Sequence, residues 1–419
     1  MSFSDRDKQH VWHPFTPQSG SAPNVSIVRG EGALLFDADG NSYIDAISSW
    51  WVNIHGHCNP YITQKIKEQL DQLEHSIFSG YTHPKAIELA EKLKALLPHM
   101  DKVFYSDDGS TSVEVALKMA FQYWHNKGTP RTKVIAFENA YHGDTFGSMS
   151  VGARNVFSNA FSPFLFEVIH IPLPSLGKEQ RSLDTMKDAL SAEVAAFIFE
   201  PVVQGAAGMK MYEHRSLDEL LSLCRSAGVI TIADEVMTGF GRTGGMFATD
   251  GCKIKPDIIC LSKGLTGGFM PLGATLCTKE IYSAYETADR TKTFFHGHSY
   301  TANPLACAAG VANLELFETG KPMRDVHRIT DHMRAEVDRF VGHPKINSVQ
   351  TIGAIFAIEL KSNEEGYLAT IGEKVAPFFH ERGIIMRPLG NVIYVIPPYC
   401  ITEEQLSQIF TAIEEFLKT

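Results

Sequence analysis

Val229-Ile230-Thr231-Ile232-Ala233-Asp234 and, further on, Ile258-Ile259-Cys260-Leu261-Ser262-Lys263 are the two stretches that decide the fold. Each is a short, almost unbroken apolar or β-branched run that ends on a charged residue. Such runs suit strands covered on both faces, as in a parallel sheet. The spacing leaves room for one crossover, so Asp234 and Lys263 are expected at neighbouring strand ends, their backbones roughly 5 Å apart.

The pattern continues outward. Val134 to Phe137, Phe166 to Ile171 and Ala195 to Phe199 are further runs of this type, and Val103 to Tyr105 leads into the turn Ser106-Asp107-Asp108-Gly109. Helices alternate with them. Asn59-Pro60 supplies a cap and a preset first turn, with Ile62, Ile66, Leu70 and Leu73 at helical spacing behind it. Pro84 opens a second helix, and a third carries the stripe Val113, Leu117, Ala120, Phe121 and Trp124. Ser216-Leu217-Asp218-Glu219 reads as a capping box, and Gly228 stops the helix that follows. Together these predict an α/β fold, with a large doubly wound, mostly parallel sheet domain over residues 55–310. A charged helix over about 321–340, strands at Gly353 to Leu360 and Asn391 to Ile396, a helix ending near Gly383 and a last one capped by Thr402 to Gln405 predict a smaller α+β domain over 311–419. Segment 1–54 is expected to pack with that smaller domain.

Composition narrows the function classes. The chain has 419 residues, 38 basic against 48 acidic, and no block of like charges, which argues against a nucleic-acid partner. No apolar run approaches the ~18 residues of a membrane helix, and the first residues are polar, unlike a secretory signal. The seven cysteines form no CxxC pair or metal-like cluster, so they read as buried thiols of a cytoplasmic protein, with no metal expected. Nucleotide-phosphate loops, a GxSxG elbow and HExxH are absent.

What remains is a constellation at the carboxyl ends of strands, where open α/β sheets place ligands. Gly109-Ser110-Thr111 opens a helix, and backbone N–H groups with hydroxyls there suit a phosphate; taken alone, Ser110 is an ordinary helix cap. Asp234 at the mouth of a buried strand must find a cation or donors; taken alone, it is a salt-bridged acid. Lys263, emerging from apolar surroundings beside Gly264, Gly267 and Gly268, has an amine that burial can make nucleophilic; taken alone, it is a loop lysine. An anion site, a buried acid and a lysine on one rim together suit pyridoxal 5′-phosphate (PLP), whose phosphate, ring nitrogen and aldehyde each meet one of them. In that reading Asp234 holds the protonated ring nitrogen, and Lys263 moves a proton during transamination.

Ile232-Ala233-Asp234-Glu235-Val236-Met237-Thr238-Gly239-Phe240-Gly241-Arg242-Thr243-Gly244, followed by Lys263 in its glycine-rich setting, resembles the class III aminotransferases over nearly the whole chain. The resemblance implies the fold-type-I architecture of PLP-dependent transferases and a homodimer with shared active sites. Further motifs, His10-Val11-Trp12-His13-Pro14-Phe15-Thr16, Ser48-Ser49-Trp50-Trp51, His55-Gly56-His57, Tyr141-His142-Gly143-Asp144-Thr145-Phe146-Gly147 and Arg387-Pro388-Leu389-Gly390, are similar to the branch that aminates 8-amino-7-oxononanoate in biotin synthesis. By that resemblance Lys263, Asp234 and Tyr141 are catalytic. Gly109 and Ser110 bind the cofactor phosphate, helped from the partner subunit by Ser299 and His298. Phe15, Trp50, Tyr141, Lys263, Gly297 and Arg387 contact substrate, the arginine by gripping the substrate's carboxylate.

The donor stays open. Trp50-Trp51 points to S-adenosylmethionine, whereas Phe15 in place of the commoner Tyr, and His298-Ser299 in place of Pro-Thr, point to lysine-using members. Arg242 receives no role beyond a structural or gating one. Two readings stand behind the first: another class III enzyme acting on an ω-amino acid, and a PLP-binding protein without catalysis.

Overall fold

The computed structural model describes residues 2–19, 24–362 and 371–419, and every candidate site residue lies among them. Its centre is a seven-stranded sheet of β1 (Lys102–Ser106), β2 (Lys133–Phe137), β3 (Ile169–Ile171), β4 (Val194–Phe199), β5 (Ile230–Asp234), β6 (Ile258–Leu261) and β7 (Gly273–Cys277). The spatial order is β1-β7-β6-β5-β4-β2-β3. β5 runs parallel to β6, with Asp234 beside Cys260, and parallel to β4, with Ala233 beside Phe199. Only β7 opposes its neighbours. β4, β5 and β6 are buried at every position, as unbroken apolar runs require. The helix Gly109–Asn126 covers one face through Val113, Leu117 and Ala120.

Two smaller sheets flank this one. Ile27–Glu31, Leu34–Asp37 and Ser42–Asp45 form a meander to which Ile384–Ile385 adds in parallel. Ile346–Ile352, Ile355–Leu360 and Val392–Val395 form an antiparallel sheet, and the helices Lys321–Phe340 and Glu403–Lys418 lie in the same C-terminal part of the chain. The helix Pro304–Glu318 runs through the boundary expected at 310/311. Among the described residues no helix is long and apolar enough to cross a membrane.

Several caps form as the residues dictate: Asn59 caps Pro60–Leu70, and Thr402 with Gln405 makes the box that opens the last helix. Four local expectations are corrected. The helix predicted from Ser216 starts earlier, at His214, and its cap residue Glu213 makes no side-chain hydrogen bond. Tyr212 ties down the preceding chain, its N–H donating to the Val202 carbonyl (3.0 Å) and its hydroxyl to that of Glu200 (2.6 Å), so the backbone turns helical at once and buries Ser216. The run Phe166 to Ile171 narrows to β3, because Arg154 Nη2 (2.9 Å) takes the Phe166 carbonyl. The strand predicted from Gly353 begins at Ile355 and is preceded by the unpredicted Ile346–Ile352, whose Asn347, Ser348, Gln350 and Thr351 weaken the apolar signal. Cys58 is exposed and Cys400 half-buried, while the other five thiols are buried; Cys58 sits in a left-handed turn (φ 54°) just before the Asn59 cap.

Candidate active site

Parallel pairing of β5 with β6 puts Asp234 and Lys263 on one rim, and the first turn of Gly109–Asn126 faces them. Phe15, Trp50, Gly109, Ser110, Tyr141, Asp234, Lys263 and Arg387 all line one cavity of about 540 Å³. A larger cavity of about 740 Å³ adjoins it across Tyr141, Phe157, Ala206 and Leu389, but holds neither the lysine nor the anion-binding turn. Gly297, His298 and Ser299 are not brought to the cavity within this chain. His298 instead faces Asp107 (3.2 Å) and His296 (3.0 Å).

The helix cap is Asp108, not Ser110: its side chain accepts from Thr111 N–H (2.8 Å), and the Thr111 hydroxyl answers the Asp108 N–H (2.9 Å). Gly109 and Ser110 are thereby the first helical residues, whose N–H groups have no acceptor within the helix, and both line the cavity. Close approach fixes this turn. A Cβ on Gly109 would lie 2.7 Å from Val236, and one on Gly143 (φ +128°) would lie 2.2 Å from Ser110 Oγ. Ser110 Oγ also accepts from Asp144 N–H (3.2 Å).

Asp234 is almost fully buried, so its charge needs donors. His142 Nδ1 (2.7 Å) and Val236 N–H (3.1 Å) supply them. The His142 Nε2 is buried with no hydrogen-bond partner among the described residues. Burial holds the Lys263 amine down at about 8, against the pull of Asp234 and Glu200 and with help from Arg242. Its Nζ lies 4.6 Å above the Trp51 ring. Tyr141 donates its hydroxyl to Asp144 (3.0 Å), and burial with that carboxylate pushes the phenol up, so it stays protonated at neutral pH.

In another part of the cavity, Arg387 lies 4.4 Å from the Trp50 ring and 5.9 Å from that of Phe15, while Phe15 meets Trp50 edge-on at 5.4 Å. This wall is strained: Ser48, Ser49, Trp50 and Trp51 have φ of 50°, 53°, 97° and 71°. Buried Asp45 holds it, accepting from Ile47 N–H (3.2 Å), Ser49 N–H (2.9 Å), Ser49 Oγ (2.9 Å) and His57 Nε2 (2.9 Å).

One contributor escaped the sequence reading. Glu200 is the first residue after β4, so the strand-end rule that singles out Asp234 applies to it as well. Its oxygens accept from Tyr141 N–H (3.1 Å) and Gly205 N–H (2.9 Å), and burial pushes it up to about 7. Arg242, 1% exposed, donates to the carbonyls of Pro397 (2.8 Å), Asn53 (3.3 Å) and Trp51 (3.4 Å). It ties the aromatic wall to the C-terminal segment.

This donor set fits PLP. First-turn N–H groups and a serine suit its phosphate, a braced carboxylate suits a protonated ring nitrogen, and a buried amine suits its aldehyde.

The chain matches the family described as aminotransferase class-III over residues 15–417. It is 47% identical over 418 residues to the adenosylmethionine-8-amino-7-oxononanoate aminotransferase of Synechococcus elongatus, covering 97% of this chain and 98% of that protein. The crystal structure of the enzyme of that name from Methanocaldococcus jannaschii superposes with a TM-score of 0.95 at 39% identity, covering 99% of this chain and 98% of the other. An omega transaminase from Pseudomonas jessenii, solved in complex with PMP, gives 0.93 at 28% identity and covers 100% and 98%.

Proposed function

The chain belongs to the class III aminotransferase family, and from that premise we propose that it aminates 8-amino-7-oxononanoate to 7,8-diaminononanoate, the biotin-synthesis step, with S-adenosylmethionine as donor. The carrying observation is the guanidinium of Arg387 beside the Trp50 ring, which Phe15 meets edge-on, in the cavity that also holds Lys263. An acceptor with a carboxylate at one end of a long aliphatic chain meets a planar fork and an apolar wall there.

When bound, PLP supplies the aldehyde that carries the amino group and a ring that accepts electrons. Lys263 Nζ, held near 8, takes up and returns the proton at the substrate carbon that bears the amino group. Asp234, braced by His142, would meet the ring nitrogen. Gly109 and Ser110 hold the phosphate, and Tyr141 covers the ring with its hydroxyl pinned to Asp144.

A homodimer is part of the proposal, with Gly297, His298 and Ser299 serving the partner's site. Its support is that exposed Phe295 (74%) and Tyr300 (63%) flank these residues and would be covered by a second subunit. Mixing the PLP form separately with S-adenosylmethionine and with lysine tests the donor. The first is expected to bleach the visible band of the bound cofactor, and a response to lysine alone would overturn the donor assignment.

A further inference from the structure

Lys263 has a left-handed backbone (φ 45°), a conformation that a side-chain-bearing residue keeps only when its surroundings enforce it. It opens the short turn Lys263–Thr266, so the path of that turn decides where its amine points. The turn is gripped from behind by one side chain. Asn313, fully buried on the helix Pro304–Glu318, donates from Nδ2 to the carbonyls of Gly264 (3.0 Å) and Leu265 (3.0 Å).

Both partners are carbonyls, which can only accept, so the amide must turn its NH2 toward them. Oδ1 must face the other way, and there it meets His55 Nε2 at 2.6 Å. Burial pulls His55 down to about 4, so the ring is neutral near pH 7 and carries a single N–H. Because Oδ1 can only accept, that proton sits on Nε2. The chain of donors therefore runs one way, from His55 through Asn313 to the lysine turn.

His55 lies just beyond the strained aromatic wall, and the chain that follows the wall packs against Gly268, two residues past the turn. A Cβ on Gly268 would lie 2.8 Å from Asn53 Cα and the Val52 carbonyl carbon. Three distant parts of the chain thus meet at one amide.

We propose that Asn313 and His55 are positioning residues that hold Lys263 in its left-handed conformation and lock its turn to the Trp50-Trp51 wall, so that amine and substrate wall keep one register. The inference rests on Lys263 being the reactive lysine of the proposed function. A leucine at 313 would fill the space but leave two buried carbonyls without a donor, and an aspartate would set an oxygen against them. His55→Phe removes the donor to Oδ1, while His55→Gln can restore an N–H close to the same point.

The test uses PLP-loaded enzyme of the wild type, Asn313→Leu, His55→Phe and His55→Gln. Asn313→Leu is expected to lower kcat by about 10- to 100-fold, the scale of a misplaced reacting group, with KM for the acceptor nearly unchanged. It is also expected to shift the pH midpoint of the bound cofactor's visible band. His55→Phe is expected to move both readouts the same way by less, and His55→Gln to recover them. If Asn313→Leu does not fold, the His55 pair decides. Wild-type kcat and an unmoved midpoint in the folded variants would overturn the proposal, as would a reduced yield of folded protein whose kcat and spectrum match the wild type. Borohydride reduction and peptide mapping of the same wild-type sample separate the two layers. Label on Lys263 with unaffected variants sinks this inference alone, whereas absence of label there sinks the site reading and this inference with it.

Discussion

His142 Nδ1 donates to Asp234 Oδ2 across 2.7 Å, and neither side chain is reached by more than a trace of solvent. A buried carboxylate that lost this donor would be costly to keep ionised, because a hydrogen bond to a charged group contributes about 1.5–3 kcal/mol. His142→Phe is therefore expected to weaken PLP binding by about 10- to 100-fold, that energy converted at 1.4 kcal/mol per decade. Equilibrium dialysis checks it, and unchanged affinity would remove His142 from the site's workings.

The Lys263 amine should titrate unlike surface lysines. Burial lowers it from 10.5 to about 8, so the neutral, nucleophilic fraction grows as pH rises through about 8. In cofactor-free protein, acylation of Lys263 followed by peptide mapping should show a rate rising to a plateau with that midpoint. A midpoint near 10.5 would show that the cavity does not desolvate the amine.

Arg387 should act on the acceptor more than on the chemistry. Arg387→Ala leaves the cofactor residues untouched but removes a bidentate partner for a carboxylate, and a loss of about 100-fold in kcat/KM for 8-amino-7-oxononanoate is expected. Stopped-flow half-reactions with acceptor and donor separate the two, and equal losses in both would assign the arginine to structure.

His55 gives a stability prediction with a definite sign. Its pKa is lowered from 6.5 to about 4 in the folded chain. Between those values the unfolded chain binds the proton and the folded chain does not, so stability is lost as pH falls from 6.5 toward 4. His55→Phe lacks that proton, so the wild-type advantage over the variant should shrink through this window and stay flat above it. Urea melts across pH 4 to 8 measure the difference, and a constant gap would contradict the burial of a neutral imidazole.

The strand-end logic was legible because β5 and β6 are buried on both faces, which writes each as an apolar run with its functional residue immediately after. That logic also covers Glu200, the first residue past β4. The Ser216 box looked like a helix start because a capping pattern is local, whereas the observed start at His214 follows from Tyr212 being anchored to the Val202 and Glu200 carbonyls. The left-handed run at Ser48 to Trp51 has no glycine to announce it, being held by Asp45 and His57. The Asn313 clamp was invisible for a similar reason: in an alanine-rich helix one asparagine reads as a neutral substitution until the lysine turn is seen behind it.

The central claim concerns which ketone receives the amino group. PLP-loaded enzyme incubated with S-adenosylmethionine and 8-amino-7-oxononanoate, with the products identified by mass spectrometry, tests it most directly. The account predicts 7,8-diaminononanoate. Amination of 2-oxoglutarate in a parallel incubation, with the oxononanoate left unchanged, would contradict it.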